Sequence, residues 1–220
     1  MKLKNNSTVI KNQVCGDKLR PKWVERIENP YDLMICLKGP IMDVGAGISR
    51  FKQSFEDKRY LRLDIDFDEK PDVVGDALNL PIKNESFNSL IYADILEHTS
   101  DPFCVIREAK RILKSGGMIF VSIPFLYPYH PHPEDYFRFT SAGIRELLER
   151  EGFIIEKIRV HNQGIFSCIN RWAIAWTYDK PYWVRILIQP ILHLFVKLLS
   201  FIDLGKESFY VTIFCLAKKA

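Results

Sequence analysis

From about residue 40 onward, short apolar runs alternate with segments whose apolar residues recur every three or four positions. That alternation is the pattern of βαβ units building a parallel sheet. "IMDVGAG" is a brief apolar run closed by glycines, "YLRLDID" a second that ends in acids, "DVVGDA" a short third and "SLIYAD" a fourth. "GMIFVSIP" is the plainest strand, opened by Gly116–Gly117 and closed by Pro124. Between these last two the spacing predicts a helix, with Pro102 in its first turn and Phe103, Ile106, Ala109 and Leu113 as its apolar stripe. "SAGIRELLERE" predicts another helix, stopped at Gly152, and "FIIEKIRV" and "FYVTIFCLA" read as the last two strands. Residues 1–35 offer a helix around "PKWVERI" and little else that is diagnostic. The expectation is one α/β domain over residues 1–220.

Composition narrows the class without changing that picture. The 220 residues are long enough for one domain with a substantial core, and 47% hydrophobic with 26% charged is ordinary for a globular chain. A net charge of +4 with no long basic run gives no reason to expect nucleic acid as a partner. The five cysteines show no paired spacing, which points to thiols in a reducing compartment and away from a disulfide framework or zinc site. The opening "MKLKNNSTVIKNQ" lacks the apolar stretch of a secretory signal, so a cytoplasmic location is expected.

Candidate chemistry begins at "DVGAG". A glycine turn at the carboxyl end of a parallel strand is where doubly wound sheets bind ligands. The nicotinamide-type G-x-G-x-x-G is excluded, because Arg50 stands where its last glycine belongs. Alone, Gly45 and Gly47 fit a structural turn equally well. Three acids change the balance, because Asp43, Asp64 and Asp76 each stand at the end of a successive strand candidate. An acid at the end of the second strand accepts hydrogen bonds from ribose hydroxyls. Asp66 is a neighbour able to share or replace that role. Any one of them is more often a turn former.

"IMDVGAGISR", "RLDID", "VVGDALNLP", "SLIYADILEH" and "IREAKRILKSGGMIFVSIP" together resemble the ordered motifs of class I S-adenosylmethionine-dependent methyltransferases, in the group typified by ubiquinone and menaquinone methyltransferases. The resemblance spans roughly Gly39 to Val160. It implies a Rossmann-like seven-stranded methyltransferase sheet with helices on both faces, S-adenosylmethionine as cofactor, and a small or lipid- or glycan-linked methyl acceptor. It further implies that Asp43, Gly45, Ala46 and Gly47 border the methionine end of the cofactor. Asp64 and Ile65 then take the ribose, Asp76, Ala77 and Leu78 the adenine, and Ala93, Asp94 and His98 line the cofactor from strand four. His98 has a second reading, fixing the turn into the next helix. One departure stands out: the family's third glycine is Ser49 here.

The stretch "YPYHPHPEDYFRFT" leaves the fifth strand on the cofactor's side of the sheet. Pro128, Pro131 and Pro133 stiffen it and its aromatics can cover a ligand, so it reads as a substrate lid. His130 and His132 are the expected general bases toward an oxygen nucleophile, with Tyr129, Tyr136 and Arg138 as substrate binders. A packing and salt-bridge role for "PEDYFRF" is the rival reading. No metal is expected, since the two histidines have no third ligand near them in sequence and the methyl donor is already electrophilic.

Residues 161–206 form a helical insertion before the last strand, and Tyr182–Ile202 is far more apolar than the rest. Arg185, Gln189, His193 and Lys197 recur every four residues as a polar stripe, and Pro190 is expected to kink or divide the helix. Tryptophans and tyrosines just before it favour a membrane–water boundary. The expectation is peripheral contact of residues 182–202 with the inner face of a membrane, packing on the domain or in a homodimer being the alternative. Against the enzyme stands a non-catalytic S-adenosylmethionine-binding regulatory or assembly subunit at a membrane surface.

Overall fold

The computed structural model describes residues 24–26, 30–48, 51–55, 59–177, 180–199 and 209–220. Its spine is one mixed sheet: β1 (Val24–Arg26), β2 (Ile41–Val44), β3 (Tyr60–Asp64), β4 (Val73–Val74), β5 (Phe87–Ala93), β6 (Leu113–Pro124), β7 (Phe153–Gln163) and β8 (Tyr210–Lys219). The spatial order is β1-β7-β8-β6-β5-β2-β3-β4, and all pairings are parallel except the two that β8 makes with β6 and β7. Strands β2 to β8 are the expected methyltransferase sheet, and β1 adds an eighth strand at its edge.

The β1 strand corrects the helix expected around "PKWVERI". Val24–Arg26 pairs in parallel with Ile158–Val160, so an open sheet edge decides the conformation over local helical preference. The rest of residues 1–23 lies outside the described residues, as do Ser49 and Arg50.

Helices α1 (Pro102–Ile112) and α2 (Ser141–Arg150) begin where the sequence supplies caps. Asp101 accepts from Cys104 N at 2.9 Å and Thr140 from Gly143 N at 3.0 Å, each satisfying an amide that the helix leaves unpaired. Gly152 follows α2 at φ +84, a left-handed turn that suits glycine. Val105, Ile106, Ala109 and Ile112 of α1 and Ile144, Leu147 and Leu148 of α2 are buried with Met42, Val44, Leu90, Tyr92, Ile119 and Val121. Alternate residues of the same strands, Ile41, Ile91 and Phe120, join a second cluster with Leu33, Met34, Leu37, Phe51 and Phe55. The period-two alternation of a strand thus feeds two cores. The second is closed by 3-10 turns over Pro30–Cys36 and Lys52–Phe55.

Between β7 and β8 stand α3 (Ile165–Trp176) and α4 (Tyr182–Leu199). α3 packs on β7 and β8, and α4 on α3. α4 runs through Pro190 undivided, contrary to one form of the expectation. The polar stripe is also turned about: Gln189 Nε2 donates to Thr177 Oγ1 at 2.7 Å, facing the end of α3. The surface left exposed is apolar, carrying Trp183, Ile186, Leu187, Ile191, Leu194, Phe195 and Leu198. The side chains of His193 and Lys197 lie outside the described residues, as do residues 200–208.

Candidate cofactor and acceptor site

Parallel strands β2, β3, β4, β5 and β6 all deliver their carboxyl ends to one edge. At the end of β2, Gly45 turns at φ +67 and Gly47 at φ +45. A Cβ on Gly45 would lie 2.3 Å from Ile95 Cδ1, whereas one on Gly47 would meet nothing within 4 Å. Gly45 is therefore glycine for conformation and close packing, and Gly47 keeps a patch of backbone bare. Gly45 N and Ala46 N both donate to Leu63 O, at 2.8 and 3.2 Å, which seats the turn on β3.

Asp64, at the end of β3, faces this turn. Its Oδ2 accepts from Gly47 N at 2.7 Å and its Oδ1 from Asp66 N at 2.9 Å. A carboxylate has roughly four lone-pair positions, so this half-buried one keeps capacity for two further donors. Asp66 is engaged elsewhere, as the cap that accepts from Asp68 N. The alternative of Asp66 as ribose acceptor loses ground accordingly, and Ile65 is exposed. Asp43 is buried and accepts from the Tyr60 hydroxyl, which braces the turn from beneath. Arg62 reaches Gly47 O at 3.4 Å and Glu69 O at 3.3 Å, tying the glycine turn to the turn beyond β3.

Asp76 is exposed and its Oδ1 accepts from Leu78 N at 2.8 Å; Ala77 is buried behind it. At the end of β5, Ala93 is buried and Asp94 stands at φ +57. Asp94 N donates to Ser122 O at 3.0 Å, and Ser122 Oγ donates to Asp94 Oδ1 at 2.7 Å. That reciprocal pair fixes Asp94 against the neighbouring strand β6. Bare backbone at Gly47, spare acceptor capacity on Asp64 and a pinned Asp94 along one edge fit a nucleoside bearing a polar tail.

Beyond β6 the chain from Phe125 to Thr140 folds back over this edge. Tyr136 N and Phe137 N donate to Glu97 O at 2.7 and 3.3 Å, docking the segment on the turn that follows β5. Arg138 is taken by Asp135: one nitrogen donates to Asp135 Oδ2 at 2.6 Å, another to Oδ1, and a third contact reaches Pro128 O at 3.2 Å. That pairing holds the buried Asp135 carboxyl well below the usual carboxylate range. Arg138 is thus a brace within the loop in this structure, its expected place as a substrate binder filled by the "PEDYFRF" salt bridge. Tyr129 and Tyr136 are exposed, and so is His132.

His130 behaves differently. Its backbone N donates to Asp135 Oδ2 at 2.9 Å, and its ring packs edge-on against both Tyr127 and His98. His98 Nδ1 is 2.5 Å from Glu134 O, so His98 also ties the lid down. Beneath the two rings lies Glu97, 0% exposed, with neither carboxylate oxygen hydrogen-bonded among the described residues. Burial first, then the charge of Asp94, pushes its carboxyl up to about 8. Sequence spacing missed this cluster, since His98 and His130 are far apart along the chain. The available signal was topological: adjacent parallel strands β5 and β6 send the turns carrying both histidines to one edge.

Residues 42–121 match the family model of a methyltransferase domain. The chain is 33% identical over 118 residues to an uncharacterized protein of Methanocaldococcus jannaschii, covering 46% of this chain and 56% of that protein. It is 24% identical over 154 residues to a Mycolicibacterium smegmatis protein named a probable S-adenosylmethionine-dependent methyltransferase, covering 61% of this chain and 60% of the relative. The chain thus spans little more than half the length of these relatives. Among solved structures, an S-adenosylmethionine-dependent methyltransferase from Mesorhizobium loti superposes with a TM-score of 0.59 at 16% identity, over 87% of this chain and 99% of that one. One from Archaeoglobus fulgidus gives 0.57 at 16% identity, over 86% and 90%. Sheet order and superposition define the class of fold, the Rossmann-like class I methyltransferase fold, and the segment that resembles a methyltransferase domain covers its first half. The matched residues run from β2 into β6 and so contain the glycine turn, Asp64, Asp76 and Asp94.

Proposed function

We propose that the chain is an S-adenosylmethionine-dependent methyltransferase acting on a small or lipid- or glycan-linked acceptor, with oxygen as the preferred nucleophile. The observation that carries the reading is Asp64 facing the bare backbone of Gly47 across the ends of β2 and β3. Asp43, Gly45, Ala46 and Gly47 would border the methionine end, Asp64 and Ile65 the ribose, Asp76, Ala77 and Leu78 the adenine, and Ala93, Asp94 and His98 the middle of the cofactor. Bound there, S-adenosylmethionine supplies a methyl carbon on a positively charged sulfur. The acceptor oxygen forms the new bond to that carbon, the carbon–sulfur electron pair stays on sulfur, and S-adenosylhomocysteine is left. Holding oxygen and carbon in register is the main contribution asked of the protein. The acceptor's proton is drawn off at the His98–His130–Glu97 cluster, which favours His130 over the exposed His132. Tyr129 and Tyr136 remain for acceptor contact. Calorimetry with S-adenosylhomocysteine is expected to show one site per chain; no binding of it or of S-adenosylmethionine would refute the reading.

The appendage gives the acceptor class its support. α3 leans over the lid, with the Arg171 guanidinium 5.5 Å from the Tyr127 ring centroid. Among the described side chains of its neighbour α4, Trp183, Ile186, Leu187, Ile191, Leu194, Phe195 and Leu198 are exposed, and no described helix is long and apolar enough to cross a membrane. A helix of this kind lies in the plane of a bilayer surface, which would put the lid beside a lipid-linked acceptor. Flotation with anionic vesicles is expected to carry the protein upward, and Ile191→Asp with Phe195→Asp to abolish it. Protein that stays soluble and dimeric through this face would instead favour the homodimer.

A further inference from the structure

Three side chains from two turns converge under the lid without bonding to one another. His98 Nε2 stands 3.8 Å and His130 Nε2 3.9 Å from the same oxygen, Glu97 Oε1. Both distances are too long for hydrogen bonds. Ligands of a tetrahedral ion with bonds near 2.0–2.1 Å lie about 3.3–3.4 Å apart, so each contact is about half an ångström wide of ligation.

The orientation of the rings says what belongs between them. His98 Nδ1 lies on Glu134 O, and His130 Nδ1 lies 3.0 Å from Pro128 O and 3.3 Å from Asp135 Oδ2. A carbonyl only accepts, so Nδ1 carries the hydrogen in each ring, and in the neutral imidazole Nε2 is left with its lone pair. The one competing donor at His130 Nδ1 is Arg138, at 3.4 Å, and it is already committed to Asp135 and Pro128 at shorter range. Two lone pairs therefore point at a buried carboxylate whose own oxygens have no donor. Acceptor atoms facing one another call for a proton or a metal ion between them, and at 3.8 and 3.9 Å a hydrogen bond cannot close the gap. An imidazole that gives its far N–H to a backbone carbonyl is also the arrangement that presets a metal-binding histidine.

We propose that Glu97, His98 and His130 form a three-ligand site for a divalent transition-metal ion. Two imidazoles with one carboxylate suit zinc or iron(II) over magnesium or calcium, which prefer an all-oxygen set. Three protein ligands leave a coordination position for water or for an acceptor oxygen, whose proton the ion makes easier to lose. That last role rests on the methyl-transfer reading and, with an ion bound, takes the place of direct proton transfer to the His130 ring; the site itself does not depend on it. It departs from the sequence expectation of no metal.

Chelator-treated, dialysed full-length protein is titrated with Zn²⁺ by calorimetry and loaded separately with Co²⁺ as an optical probe. One ion per chain is expected, with binding and the cobalt absorption lost in Glu97→Gln and His130→Ala and kept in His161→Ala. His130 sits on the lid, so its loss leaves the sheet intact, and Glu97→Gln keeps the side chain's shape; thermal melts verify both. Absence of stoichiometric binding, or binding unchanged in those two variants, overturns the site. S-adenosylhomocysteine binding on the same samples separates the two readings: cofactor without metal overturns only this site, and metal without cofactor overturns only the methyltransferase assignment.

Discussion

Asp64→Ala is expected to weaken S-adenosylhomocysteine binding by about 2–3 kcal/mol, roughly 30- to 150-fold, at unchanged stoichiometry. The carboxylate would lose two charge-assisted hydrogen bonds to ribose hydroxyls, and the loss has a second part. Asp64 Oδ2 also takes the amide of Gly47 at 2.7 Å, so its removal frees the turn that borders the rest of the cofactor. Asp64→Asn discriminates the two parts: it keeps an acceptor for Gly47 N while surrendering the charge, and should fall between wild type and alanine. Asp66→Ala should cost far less, because Asp66 caps the turn at Phe67–Glu69. Calorimetry that ranks Asp66 above Asp64 would reassign the ribose acceptor.

His130→Ala is expected to lower kcat by about 10²–10⁴ with cofactor affinity intact, the size associated with losing a proton-transfer group. The ring is half-buried, packs on His98 and Tyr127, and stands over Glu97. His132→Ala should change turnover by little, since that side chain is exposed on the outer turn of the loop. Equal losses in both variants would mean that the segment acts only as a cover. The measurement is single-turnover transfer of labelled methyl to the acceptor, which separates chemistry from binding.

The β5 and β6 strands and both capped helices were legible because their signals are local. An apolar run opened by Gly116–Gly117, Pro102 in a first turn and Gly152 past a last one each encode their own conformation. The glycine turn and Asp64 were legible for a related reason, since a strand end fixes where the next side chain points. Val24–Arg26 was not, because its strand conformation comes from pairing with Ile158–Val160, far along the chain. Arg138 was read toward a substrate because nothing in "PEDYFRF" says whether its charges meet each other or a ligand; folding brings Asp135 to it first. Glu97 was invisible as a special residue. An acid in "LEH" looks like any surface acid until the lid amides of Tyr136 and Phe137 dock on its own carbonyl and seal it in.

The appendage leaves the sheet and returns to it at a single point. Gln163 is paired with Tyr210 across β7 and β8, and Gly164 N donates to Phe209 O at 2.8 Å just beyond. The described part of the appendage, α3 and α4, therefore lies beyond a closed neck. Closing such a loop grows costlier only slowly with its length, by about 0.6 kcal/mol for each doubling. The register of β7 and β8 is thus set up to the neck itself, and what lies beyond it is tied to the sheet by the packing of α3 on those two strands. The apolar side chains of α4 are in this way held apart from the strand ends that carry Asp64 and Asp94.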